Sequence, residues 1–163
     1  MWPALQQFSR EVGDSTDFYF WGYDPSSQPP LSSPTHYIPV VLPYSRYLNK
    51  FREMRFDAVL SPLFDQHRIQ QAKSPIKYLD ITAMGSIGIY SDVKVYQCVR
   101  NHVTGILAAN HEKDWLRQIR GVFKMDYNER KAIWEAACLQ VRTEFTAESQ
   151  AVDIDRIVLA ATL

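Results

Sequence analysis

Two lysines and one carboxylate stand close together in the run Ala72-Lys73-Ser74-Pro75-Ile76-Lys77-Tyr78-Leu79-Asp80. Ser-Pro before an apolar-periodic stretch is a helix-start signal, because serine can cap the free N–H groups and proline's fixed φ suits the first turn. The start of a helix carries about half a positive charge on its unpaired N–H groups. Lys73 before it and Lys77 in its first turn would therefore make a local site for a diphosphate. Asp80, one turn beyond Lys77, could accept hydrogen bonds from the vicinal hydroxyls of a sugar or ribose. On spacing alone the plainer reading stays open: solvated lysines, and an Asp80 that does no more than pair with Lys77.

The neighbouring elements decide whether such a site can exist. Ile76, Leu79 and Ala83 set the inner stripe predicted for the helix, and Gly85 stops it. A short buried strand, Phe56 to Leu60, ends in Ser61-Pro62-Leu63 ahead of a polar loop reaching Ala72, and Ile87 to Tyr90 reads as the next strand. Ligands of open α/β sheets sit at the carboxyl ends of strands, which adds Ser61 and Pro62 to the candidate binding residues.

The same alternation runs through the rest of the chain. Leu5, Phe8 and Val12 recur at helical spacing before a strand at Asp17 to Gly22, and a loop rich in proline and serine leads to a strand at His36 to Val41. A helix opening at Pro43-Tyr44-Ser45 carries the stripe Tyr47, Leu48, Phe51 and Met54. Lys94 to Arg100 reads as a short helix, Thr104 to Ala108 as a last strand, and Glu112 to Phe123 and Tyr127 to Phe145 as two amphipathic helices. Strand and helix in alternation predict an α/β fold, a Rossmann-like parallel sheet with helices on both faces. One domain is expected over residues 1–148, with 149–163 as a tail, helical or linking to a further segment.

Composition narrows the function classes. The 163 residues are 46% hydrophobic and 22% charged, as in a globular fold with a real core. Eighteen basic and eighteen acidic side chains leave no long-range field for nucleic acid. No stretch is long enough to span a membrane and no signal peptide opens the chain, so a cytoplasmic location is expected. Cys98 and Cys138, both in segments read as helical, have no CxxC partner, and no histidine pair has metal-ligand spacing, so buried free thiols and no metal are expected.

From Phe56 to Asn110 the chain resembles the carboxyl-terminal domain of retaining GT-B glycosyltransferases. The blocks that carry the likeness are Phe56 to Leu63, Ala72 to Asp80, Met84-Gly85, Tyr90-Ser91-Asp92-Val93, Thr104-Gly105-Ile106-Leu107 and Asp114-Trp115. Their order and spacing are similar to the glycosyl transferases group 1 family, especially bacterial members of O-antigen and capsule synthesis. The resemblance implies that the helix from Ile76 binds the donor diphosphate at its start and offers a carboxylate to the ribose. It assigns those roles to Ser74, Ile76 and Asp80, where the family has a glutamate one methylene longer. A second family glutamate, eight residues earlier, is Ala72 here. The likeness further implies a nucleoside diphosphate sugar as substrate with no cofactor, and a saccharide or lipid-linked saccharide acceptor held by a separate amino-terminal domain. Any association with a membrane would come through the rest of the protein. Lys73 and Lys77 are then the groups expected to act on the leaving diphosphate, and the rival from another class is a noncatalytic, degenerate module serving assembly.

Other residues have plainer explanations. His67 and Arg68 face the proposed site from a loop, where a solvated pair is the favoured reading. Tyr37, near where related enzymes hold the base, is expected in the core, as are Trp21, Trp115 and Trp134. Nothing in the pattern suggests a Ser-His-Asp or Cys-His set.

Overall fold

The computed structural model describes residues 1–40, 43–63 and 73–149. Its order is α1 (Trp2–Val12), β1 (Phe18–Trp21), β2 (Thr35–Ile38), α2 (Tyr44–Met54), β3 (Ala58–Ser61), α3 (Ile76–Ala83), β4 (Ile87–Ser91), β5 (Ile106–Ala108), α4 (Glu112–Lys124) and α5 (Tyr127–Glu144). All strand pairs are parallel, so the α/β architecture with helices on both faces is present. The strands form two sheets, β1-β2 and β3-β4-β5. The small sheet joins the large one through side chains: Phe18 and Phe20 of β1 pack into the same apolar cluster as Ala58 and Leu60 of β3.

Strand alternation sorts the core into two layers. Ile87 and Ile89 of β4 face a cluster built with Ala4, Leu5 and Phe8 of α1, Ile106 and Ala108 of β5, and Trp115, Leu116, Ile119 and Val122 of α4. Tyr90 faces the opposite cluster, with Tyr78 and Ile81 of α3, Tyr96, Val99 and Ala137 of α5. Two glycines make room for the Tyr90 ring. A Cβ on Gly88 would fall 2.0 Å from Tyr90 Cζ, and one on Gly105 would fall 3.0 Å from its Cε2.

Three expectations change. The inner stripe of α3 is Tyr78 and Ile81 with Asp80 and Thr82, while Ile76 is 45% exposed and Ala83 faces solvent. Tyr78 turns the helix: its ring meets Tyr90 and Phe145 edge-on and its hydroxyl donates to Gln140 Oε1 at 2.8 Å. Tyr78 buries one large ring in edge-on contact with two others and still satisfies its hydroxyl, a combination that Ile76 and Ala83 cannot offer. Second, Lys94 to Arg100 holds only a 3₁₀ turn at Lys94–Tyr96, because Val93, Val95 and Val99 are poor helix formers that reach the core from an irregular path. Cys98 therefore lies in a turn; Cys138 is on α5, and both thiols are free and half-buried. Third, Tyr37 is 48% exposed rather than in the core, since β2 buries only Ile38 of its four residues.

Two of the tryptophans and two helix ends follow expectation, whereas Trp21 is only half-buried. Trp115 is fully buried and Trp134 half-buried, with its indole N–H donating to Thr82 O at 2.9 Å. Gly85 ends the α3 region at a φ of 84°, and α5 opens with a reciprocal cap between Asp126 and Glu129. His67, Arg68, Ala72, Val41 and residues 150–163 lie outside the described residues.

Candidate binding site between α2 and α3

The first turn of α3 must lie level with the carboxyl ends of the large sheet, because α3 leaves β3 and returns to the start of its parallel neighbour β4. Its cap differs from the expected one. Pro75, at φ −76° and ψ 33°, takes the N-cap position, and no side chain caps the helix. Ser74 is exposed and leaves the cap site empty, since proline in that position already sets the chain's entry and its carbonyl accepts from Tyr78 N at 2.8 Å. Lys73 is exposed and has no partner among the described residues.

Opposite this turn stands α2, positioned by aromatic spacing. Tyr44, Tyr47 and Phe51 recur at helical intervals, and Trp21, the last residue of β1, meets Tyr47 and Phe51 at ring distances of 5.1 and 5.3 Å. Tyr47 and Phe51 thus anchor the helix beside the carboxyl end of β1, and Tyr44 stacks on Tyr47 at 5.8 Å with 27° between the rings.

Between the two helices a four-residue polar cluster forms. The Tyr44 hydroxyl donates a short hydrogen bond to Asp80 Oδ1. Lys77 Nζ donates to the Tyr47 hydroxyl at 3.1 Å and to Asp80 Oδ2 at 3.4 Å. The ammonium also lies 4.9 Å from the Tyr47 ring centre, where the direct bond to the hydroxyl is the stronger of the two contacts. Asp80 is 3% exposed, so its charge stands largely out of water and depends on these two donors. Rotating α3 to bury Tyr78 is what carries Lys77 and Asp80 onto the face looking at α2.

Charge and burial shift the partners. Hydrogen bonding to Asp80, then burial, pushes the Tyr44 phenol from 10.0 up to about 12. Burial works to lower the Lys77 ammonium, but the Tyr47 hydroxyl and the Asp80 carboxylate outweigh it and the net shift is upward. Both groups are raised in the fold, so the stability they contribute is fully present below about pH 10 and is lost as pH rises through their folded values. Tyr44→Phe should therefore flatten the alkaline limb of the stability profile between pH 10 and 12, as read from urea midpoints across that range. An unchanged slope would mean the phenol does not hold Asp80.

The other candidates lie at the carboxyl edge of the large sheet. Ser61 Oγ is buried 2.7 Å from the Tyr96 hydroxyl, so it is engaged within the fold. Pro62 is half-buried beside it. Leu63 N donates to Ser91 Oγ at 2.8 Å, Ser91 Oγ donates to Asn110 Oδ1 at 2.7 Å, and Asn110 Nδ2 donates to Leu63 O at 2.9 Å. This closed triangle fixes the end of the β3 strand against β4 and β5. The structure thus brings Lys77 and Asp80 together, leaves Lys73, Ser74 and Ile76 on the surface nearby, and places Ser61 within the core.

Sequence reasoning missed Tyr44 as a site residue and read Tyr47 only as helix stripe. Their spacing of three was visible, but nothing local tied them to a carboxylate 36 residues away. Among the described residues no group of His, Cys, Asp and Glu could hold a metal, and no helix is long and apolar enough to cross a membrane.

No family model matches the chain, and comparison with curated proteins and with solved structures gave no match. The site's chemistry therefore has to carry any functional reading.

Proposed function

We propose that this chain is the donor-binding domain of a glycosyltransferase of the GT-B type. It would bind a nucleoside diphosphate sugar in the cytoplasm, for transfer to a saccharide acceptor in surface-polysaccharide synthesis with the anomeric configuration retained. The observation that carries the reading is the pairing of Lys77 with a buried Asp80 at the start of α3, beside the exposed Lys73. Cations at a helix start at the carboxyl edge of parallel strands suit a diphosphate, and a carboxylate one turn on suits a ribose diol.

As the bond between sugar and diphosphate breaks, negative charge grows on the leaving phosphate oxygen. Lys73, Lys77 and the free N–H groups of α3 would stabilise that charge without reorganising. Ser74 and Ile76 contribute through their backbone amides, and Ser61 and Pro62 shape the neighbouring strand end. Acceptor groups would come from a separate amino-terminal domain, so donor binding without sugar transfer is expected of this chain.

One observation favours a second reading, a noncatalytic module of the same ancestry. Both oxygens of Asp80 already have protein partners, and position 72 is alanine. Calorimetry with UDP, GDP and their sugars separates the two. The donor-binding reading expects saturable binding of at least one nucleotide, and no heat with any of them would overturn it in favour of the module.

A further inference from the structure

Asp80 is the group best placed to recognise a sugar or ribose diol, yet one of its oxygens is covered by a side chain that is 52% exposed, Tyr44. We propose that Tyr44 competes with a vicinal diol for Asp80 and so holds down selectivity for it: its hydroxyl stands in for a ligand hydroxyl on Asp80 and is displaced when the ligand binds. This rests on the donor-binding reading above.

The chemistry of the exchange balances group for group. A phenolic O–H donates to Asp80 Oδ1 in the free protein, and a ribose O–H donating to the same oxygen replaces it one for one. Phenol is the more acidic and so the stronger donor, which means that a bare sugar gains nothing by the exchange. A ligand whose diphosphate is held by Lys73 and Lys77 has the additional interaction needed, so the exchange couples diol recognition to diphosphate binding.

The surroundings permit the movement. Tyr44 begins α2 and its neighbours on the chain, Pro43 and Ser45, are exposed. Among the described residues its ring stacks on Tyr47 and belongs to neither apolar cluster, so the ring can turn toward solvent without opening them. Asp80 cannot move out to meet a ligand instead, because it lies on the buried side of α3 beside Tyr78 and Ile81.

The test is calorimetry of the whole chain and its Tyr44→Phe variant with UDP, GDP and the 2′,3′-dideoxy forms of both. Phenylalanine keeps the stacking ring and removes the competing donor, so the free protein is left with an unpaired carboxylate oxygen that a ligand hydroxyl can satisfy. The expected result is about tenfold tighter binding of the ribose nucleotide to Tyr44→Phe, with no change for the dideoxy form. Combining the change with Asp80→Asn should abolish the gain. Equal or weaker binding of the ribose nucleotide by Tyr44→Phe, or equal tightening of both forms, would overturn the role of Tyr44 and leave nucleotide binding standing. Failure of both proteins to bind any of the four nucleotides would overturn the donor-binding reading and this inference together.

Discussion

Gly88→Ala should cost about 3 kcal/mol or more, because expelling a buried aromatic from its place costs about as much as truncating it, roughly 3–5 kcal/mol. The added methyl would fall 2.0 Å from Tyr90 Cζ, 2.1 Å from its hydroxyl oxygen and 2.4 Å from Cε2. Tyr90 is 1% exposed and has no free direction to move. Tyr96 is 4.9 Å away ring to ring, Tyr78 is 5.8 Å away, and the third side is closed by Gly105 and Val99. The ring must therefore leave or the strand must bend, and either opens the cluster on which α3 and α5 rest. Against a total stability of about 5–15 kcal/mol such a loss is large.

Urea unfolding measures the effect as a drop in midpoint. Gly121→Ala is the internal control of opposite sign: it lies within α4 with nothing within 4 Å of an added Cβ, so alanine should stabilise by about 0.5–1 kcal/mol. Tyr90→Leu in the Gly88→Ala background should restore part of the lost stability, since the two changes act on one volume. A Gly88→Ala protein as stable as the parent would show that the Tyr90 ring does not lie over Gly88.

The second large effect concerns the cations. Lys73→Met should weaken nucleoside diphosphate binding about tenfold without altering stability, because a charged hydrogen bond is worth roughly 1.5–3 kcal/mol and Lys73 is an exposed residue with no partner among the described residues. Lys77→Met should weaken binding by more, about a hundredfold, since on the proposed donor-binding reading it removes a phosphate contact and it also disturbs Asp80. It should in addition lower stability by about 1–3 kcal/mol, because Asp80 stays buried and loses its only cation among the described residues. The double variant should lose most of the salt dependence of binding. Calorimetry at two ionic strengths, with urea unfolding of each variant alongside, reads both quantities. Full affinity in the double variant would show that no diphosphate binds at the start of α3.

Much of the fold was legible before any tertiary contact was known. Leu5, Phe8 and Val12, the strand runs at Phe18 and Ile87, and the long stripes of α4 and α5 are local periodicities, and each appears within a few residues of its expected bounds. Alternation of strand and helix predicted parallel pairing, and β3 and β4, joined by α3, follow that rule; β1-β2 and β4-β5 are also parallel, although only 3₁₀ turns lie between their strands. The candidate lysines and Asp80 were legible as residue types at a helix start. Their orientation was not, since a helix only eight residues long offers two faces of similar apolar content.

By itself, then, the sequence determined most of the elements, their order and the place of Lys73, Lys77 and Asp80 about a helix start, because each depends on neighbours a few positions away. Tertiary structure alone decided that Tyr78 rather than Ile76 faces the core, that the strands divide into two sheets, and that Tyr44 closes over Asp80. Each of those outcomes is a competition between contacts far apart in the chain: a buried aromatic against two smaller side chains, side-chain packing against a continuous ladder, and a phenol 36 residues distant against water. Such competitions are settled by shape and burial in three dimensions, which periodicity cannot rank.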